Sequence, residues 1–160
     1  IKCINIHPGY NPYNRGWYPH VFSIINGLPT GVTIHEIDSR IDHGPIIDQR
    51  KIPLYQWDTS TTSYNRILQT EVSLIKKNIN KIISGKYSTK KIKKEGNLNT
   101  KKDFDKLCQL NLDKVQSFRV FLNLLRALSH DGCNNAYFIE EESKKKIYIT
   151  INLKRDEKGI

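Results

Sequence analysis

The spacing of apolar and polar positions divides the chain into short strands, helices and the loops that join them. Ile1 to Ile6 is apolar and β-branched, which predicts a buried strand, and it runs into a Pro-, Gly- and Asn-rich loop from Pro8 to Gly16. Val21, Phe22, Ile24 and Ile25 then form an apolar stripe, with Pro19 suited to a first helical turn and Gly27 to a C-terminal stop. Gly31 to Asp38 alternates, with Val32, Ile34 and Glu36 on one side and Thr33, His35 and Ile37 on the other, so a second strand is expected. Asp42-His43-Gly44-Pro45 has turn chemistry, and Ile46 to Ile52 is expected to return as a third strand.

From Thr59 to Ser84 the residues Tyr64, Ile67, Leu68, Val72, Ile75, Ile79, Ile82 and Ile83 recur at helical spacing, with Thr59 or Ser60 as N-cap and Gly85 past the end. Lys86 to Asn99 is polar and Lys-rich, and it reads as a linker. Thr100 with Asp103 resembles a capping arrangement for a short helix through Leu110. Phe118, Phe121, Leu122, Leu124, Leu125 and Leu128 define a further helix, stopped by Asp131-Gly132. Ala136 to Glu141 and Lys146 to Leu153 alternate and predict a hairpin, followed by a charged, frayed tail. The expected organisation is a core over 1–85, a linker over 86–100 and a small C-terminal module over 101–160.

A chain of 160 residues with 38% hydrophobic content can bury a globular core. Its net charge of +10 would suit a polyanion, but much of the excess lies in segments such as Lys90, Lys91, Lys93, Lys94, Lys101 and Lys102, where a solvated lysine face is the simpler reading. Cys3, Cys108 and Cys133 are odd in number and widely spaced, without a paired or metal-like grouping, so reduced thiols and a cytoplasmic setting are expected, with no metal. No apolar run approaches a membrane span. The chain opens on Ile1, inside what reads as a strand, and contains no Met, so a start within a domain is expected.

Asn5 and His7 stand two apart on the first strand, so their side chains share a face near its C-terminal end, where open α/β sheets bind ligands. Asp42 follows another strand in a turn from which a carboxylate can swing back toward His7. A protonated histidine and an amide can both donate to an oxygen that gains negative charge, while a carboxylate holds the imidazolium and collects a proton. An Asn-x-His pair alone is common in structural roles. His20 and His35 read as structural, His43 as pointing away from Asp42, and His130 as a cation suited to a helix end.

The longer strings carry more. Asn5-Ile6-His7-Pro8-Gly9, Tyr13-Asn14-Arg15-Gly16, Gly31-Val32-Thr33-Ile34-His35 and Asp42-His43-Gly44-Pro45-Ile46-Ile47 together resemble the active-site half of the folate-dependent formyltransferases. That family usually continues its His-Pro motif with Ser, where this chain has Gly9. Gly9-Tyr10-Asn11-Pro12-Tyr13-Asn14-Arg15-Gly16-Trp17-Tyr18-Pro19, Leu124-Leu125-Arg126-Ala127-Leu128-Ser129-His130 and Asn135-Ala136-Tyr137-Phe138 resemble the members that act on dTDP-linked amino-dideoxy sugars.

The resemblance implies an α/β fold: part of a Rossmann-like formyltransferase core over residues 1–85, then a small C-terminal module of helices and a β-hairpin. It implies 10-formyltetrahydrofolate as co-substrate, a nucleotide-linked amino sugar as acceptor, a homodimer using the hairpin edge, and a product for O-antigen lipopolysaccharide biosynthesis. Asn5 and His7 would stabilise the oxyanion, and Asp42 would charge or orient His7 and help to remove the amine proton. Ile37, Asp38 and Ile41 would line the pterin pocket, with further pterin contacts expected upstream of this chain. Gly9, Tyr10, Asn11, Pro12, Tyr13, Arg15 and Trp17 would meet the sugar nucleotide, Tyr137 would stack on its base, and Arg126 or His130 would lie near its pyrophosphate. Trp17 and Tyr137 also read as packing aromatics, and Arg126 as a solvated helix residue. The alternatives are a methionyl-tRNA enzyme, a UDP-aminoarabinose enzyme, and a nonenzymatic basic module that binds nucleic acid.

Overall fold

The computed structural model describes residues 2–156. In chain order its elements are β1 (Ile4–His7), β2 (Arg15–Gly16), α1 (Pro19–Asn26), β3 (Thr30–Glu36), β4 (Ile46–Ile52), α2 (Ser60–Ile83), β5 (Leu98–Asn99), α3 (Lys101–Cys108), α4 (Phe118–Leu128), β6 (Ala136–Ile139) and β7 (Lys146–Ile149). The fold is α/β, as its sequence pattern predicts. The opening strand is shorter than expected: Lys2 and Cys3 are exposed and precede β1, although the Cys3 carbonyl accepts from the Ile37 N–H at 2.8 Å, and Ile1 lies outside the described residues. The hairpin strands also stop early, at Ile139 and Ile149.

β1, β3 and β4 form one antiparallel sheet in that order, so β1 is an edge strand among the described residues. Period-two alternation gives the sheet two chemically different faces. One packs against α2: Val32, Ile34 and Ile52 meet Ile67 and Leu74, with Ile4, Ile6 and Ile47 at the margin. The opposite face of β1 and β3 carries Asn5, His7, Thr33 and His35, because the register sets Asn5 opposite His35 and His7 opposite Thr33.

The helix ends follow the sequence signals. Thr59 and Thr62 form a reciprocal capping box on α2, and Thr100 and Asp103 form another on α3. Gly27 ends α1 with φ 67°, a backbone conformation that glycine adopts without strain. α1 packs on α4, and Val21, Phe22 and Ile24 join Phe104, Ala127, Leu128 and Ala136 in a second core that ties the C-terminal module to the sheet region. No helix is long and apolar enough to cross a membrane among the described residues.

The polar stretch that reads as a linker is pinned along much of its length. Lys90 exchanges backbone hydrogen bonds with Ile46, and β5 pairs in parallel with β2. Gly96 lies so close to Pro12 that a Cβ would stand 1.8 Å from the Pro12 carbonyl oxygen.

Leu74 is 1% exposed at the α2–sheet contact. Leu74→Ala is expected to lower the unfolding free energy by about 2–5 kcal/mol, as read by equilibrium denaturation.

Candidate active site

Asp42 sits in the turn between β3 and β4 at φ 46°, a left-handed conformation that costs energy for a residue with a Cβ and so must be held by its surroundings. Asn5 Nδ2 donates to its Oδ1 at 3.0 Å, and the Gly16 N–H donates to its Oδ2 at 3.0 Å. Asn11 Nδ2 donates to its backbone carbonyl at 2.8 Å. His7 Nδ1 lies 3.4 Å from Oδ2 and His35 Nε2 lies 3.6 Å from Oδ1. The trio Asn5, His7 and Asp42, separated by up to 37 residues in sequence, is therefore one contiguous cluster.

His35 joins it, and the expectation that it stands apart as a structural histidine is corrected. Its Nε2 is 3.4 Å from Asn5 Nδ2, and its Nδ1 is 2.7 Å from the Glu36 carbonyl oxygen, to which it can donate. The missing signal was strand register: a one-residue slip would have sent His35 to the other face. The shorter hydrogen bond that Asn5 Nδ2 makes here is to Asp42 Oδ1, so in this arrangement the amide holds the carboxylate.

The charge states also differ from the expectation. His7 is 3% exposed, and burial, opposed by the Asp42 charge, pushes its pKa down to about 4, so its imidazole is neutral near pH 7. For His35, burial works against the cation, but Asp42, the Glu36 carbonyl and Asp38 outweigh it and raise the pKa. Burial likewise opposes ionisation of Asp42, yet His35, His7 and the Gly16 N–H hold its carboxyl below the usual carboxylate range. His7 Nε2 is buried with no hydrogen-bond partner among the described residues, facing Gly9, where a Cβ would stand 2.3 Å from that nitrogen. Gly9 thus makes room for the His7 ring, a reason rooted in packing for a residue that departs from the family's usual serine.

Asp42 opens onto a cavity of about 480 Å³ between the sheet region and the C-terminal module, lined also by Trp17, Tyr18, His20, Tyr64, His130 and Asn135. Across it, Ser60 Oγ lies 3.0 Å from both His20 Nε2 and His130 Nδ1. His20 is buried, and burial followed by the proximity of His130 pushes its pKa down to about 3. Of the residues expected to meet the sugar nucleotide, Trp17 and His130 line this cavity, and Trp17 is half exposed. Ser60, Tyr64 and Asn135 were missed, because a helix N-cap signal and an apolar stripe conceal which residues face a cleft.

The others sit elsewhere. Arg126 is buried and donates to the Tyr55 and Asp58 carbonyls and to Asn123, so it is a clamp between α4 and the segment before α2, not a solvated residue. Tyr137 packs edge-on to Tyr148 with Lys146 Nζ 4.1 Å over its ring, away from the residues that line the cavity. Asn11 and Arg15 are almost fully buried and donate to the Asp42 and Ile41 carbonyls, while Tyr10, Pro12 and Tyr13 are half-buried beside them. Ile37 and Ile41 are apolar yet 56% and 59% exposed next to Asp42, and Asp38 accepts from the Arg40 amide and pairs with His43. His43 turns away from Asp42, as expected. No group of three or more His, Cys, Asp or Glu is arranged to hold a metal ion among the described residues.

Comparison with known proteins gives the family. Residues 1–79 match the formyl transferase model and residues 103–155 match the N-formyltransferase dimerization C-terminal domain. A sugar N-formyltransferase candidate from Mycobacterium tuberculosis superposes with a TM-score of 0.95 at 46% identity, over 98% of this chain and 67% of that one. The chain belongs to the formyltransferase family. This formyltransferase chain is also 48% identical to the dTDP-4-amino-4,6-dideoxyglucose formyltransferase of Mycobacterium tuberculosis, over 96% of its own length and 65% of the relative's. It therefore spans just under two thirds of that relative. The formyltransferase PseJ from Anoxybacillus kamchatkensis, solved with UDP-4,6-dideoxy-4-formamido-L-AltNAc and tetrahydrofolate, matches at 40% identity and a TM-score of 0.62, over 64% of this chain and 55% of PseJ.

Histidine titration by NMR is expected to separate these rings: His7 near pH 4, His20 near pH 3, and His35 above the ordinary histidine value. A His7 ring that titrates above pH 6 would contradict the neutral imidazole.

Proposed function

We propose that this chain carries the catalytic face of an enzyme that transfers a formyl group from 10-formyltetrahydrofolate to the amino group of a dTDP-linked amino-dideoxy sugar. The observation that carries the reading is the convergence of Asn5 and His7 on Asp42, which itself lines a cavity large enough for part of a sugar nucleotide. The 48% identity to a dTDP-4-amino-4,6-dideoxyglucose formyltransferase supports an amine at C4 of the sugar. The tetrahydrofolate held by PseJ supports the donor class. Exposed Ile37 and Ile41 beside Asp42 fit a flat apolar ring laid against that loop.

Formyl transfer to an amine forms a C–N bond to the sugar, breaks the C–N bond to the donor, and moves one proton from the attacking nitrogen to the departing donor nitrogen, with Asp42 and then His7 as its carriers. Asp42, ionised and open to the cavity, is the group placed to accept that proton. The neutral His7 ring faces the same carboxylate and is the next station for it. The imidazolium formed there is paired with Asp42 and offers an N–H to the developing oxyanion. Asn5 and His35 fix the carboxylate from the other side. His130 and Trp17 would contact the nucleotide sugar across the cavity.

The C-terminal module matches a dimerization domain and exposes Ile139, Ile147 and Tyr148 on its hairpin, which suits a homodimer through that face. The same reading carries a cytoplasmic enzyme that supplies a formamido sugar for O-antigen lipopolysaccharide. The formyl-transfer reading is preferred to a basic nucleic-acid module because a lysine-rich surface gives no reason for three polar side chains to converge in a buried cluster.

With 10-formyltetrahydrofolate and dTDP-4-amino-4,6-dideoxyglucose, full-length protein is expected to yield a formamide detectable by mass. His7→Ala and Asp42→Asn are each expected to cut turnover on the order of a hundredfold or more. The double change should cost little more than the worse single one, because the pair acts as a unit. Near-normal turnover in His7→Ala would sink the mechanism.

A further inference from the structure

Asp42 is held by the loop from Asn11 to Gly16, and that loop is held in turn by the segment from Glu95 to Asn99. Arg15, 5% exposed, donates from NH1 to the Ile41 carbonyl at 3.3 Å, one residue before Asp42, and its NH2 is paired with Glu95 Oε1. The other oxygen of Glu95 lies 3.4 Å from Arg40 NH1 and 3.5 Å from His43 Nε2, the residues that flank Ile41 and Asp42. One exposed carboxylate therefore bridges both sides of the Asp42 turn. Around it the segment is fixed in register: Asn14 N–H donates to Asn97 Oδ1 at 2.9 Å, Arg15 N–H to the Asn97 carbonyl at 3.1 Å, and Trp17 N–H to the Asn99 carbonyl at 2.9 Å. Gly96 fills the place against Pro12 where any side chain would collide.

We propose that Glu95 is a positioning residue for formyl transfer, acting through Arg15 and the Arg40–His43 side of the turn to hold Asp42 at its working angle. The inference rests on the Asp42 mechanism proposed above. A buried guanidinium without its anion carries an uncompensated charge, so loss of Glu95 is felt by the Ile41–Asp42 backbone that Arg15 grips. It is also felt electrostatically. Burial depresses the pKa of His7, Asp42 opposes it, and the charges of His35 and Arg15 lower it further, so an Arg15 no longer neutralised by Glu95 pushes His7 further down. An exposed carboxylate in a purely structural strap would leave those ionisations unchanged.

The test uses full-length protein with both substrates and compares Glu95→Gln, Gly96→Ala, the exposed-lysine control Lys94→Gln and His7→Ala. Glu95→Gln is expected to lower kcat on the order of ten- to a hundredfold, with KM for sugar nucleotide and folate within about twofold and the acidic limb of the kcat profile moved to lower pH. Gly96→Ala, which must displace the strap from Pro12, should reproduce the kcat loss, and Lys94→Gln should retain wild-type turnover. Full kcat in Glu95→Gln, whatever Gly96→Ala does, or a rise in KM with kcat intact, overturns the positioning role. If His7→Ala alone is dead, only this inference falls; if His7→Ala is also active, the formyl-transfer mechanism falls with it.

Discussion

The site depends on how one carboxylate is held. Asp42 occupies a left-handed backbone position, and its side chain and carbonyl are fixed by Asn5 from β1, by Asn11 and Gly16 from the segment that follows it, and by the facing rings of His7 and His35. Each is a modest interaction by itself. Together they over-determine a conformation that the local chain would not choose, and they bring an ionised group to the wall of a cavity.

The sheet makes this possible by separating two kinds of chemistry. Its apolar face is sealed by α2 through Ile67 and Leu74, and that burial orients the strands. The polar face then has no freedom to drift: with Asn5 opposite His35 and His7 opposite Thr33, four polar side chains line up without any loop having to find them. The same burial sets the electrostatics. His7, nearly inaccessible, gives up its proton, while His35, closer to the Glu36 carbonyl and to Asp38, is the ring more readily charged. A histidine–carboxylate pair assigned from motif alone would have placed the cation on the other ring.

The C-terminal module is more than an appendage to this arrangement. Ala127, Leu128 and Ala136 enter the same core as Val21 and Ile24, and His130 and Asn135 close the cavity opposite Asp42. Residues that read as ligands from sequence are divided by this packing. Arg126 is spent on backbone carbonyls, Tyr137 is covered by Lys146 and Tyr148, and Trp17 and His130 are left facing the open space.

The sequence by itself determined the elements and the trio, because periodicity, caps and turn residues are local and because the strings around His7 and Asp42 are long. Thr59, Gly27 and the Thr100–Asp103 pair mark helix ends that the structure reproduces. Tertiary structure alone decided what depends on distance across the chain. Strand register brought His35 to Asp42, desolvation chose which histidine is neutral, and the pairing of residues 95–99 with residues 14–17 turned an apparent linker into a strap. None of these has a local signature, since each arises when segments 30 to 85 residues apart meet and exclude water.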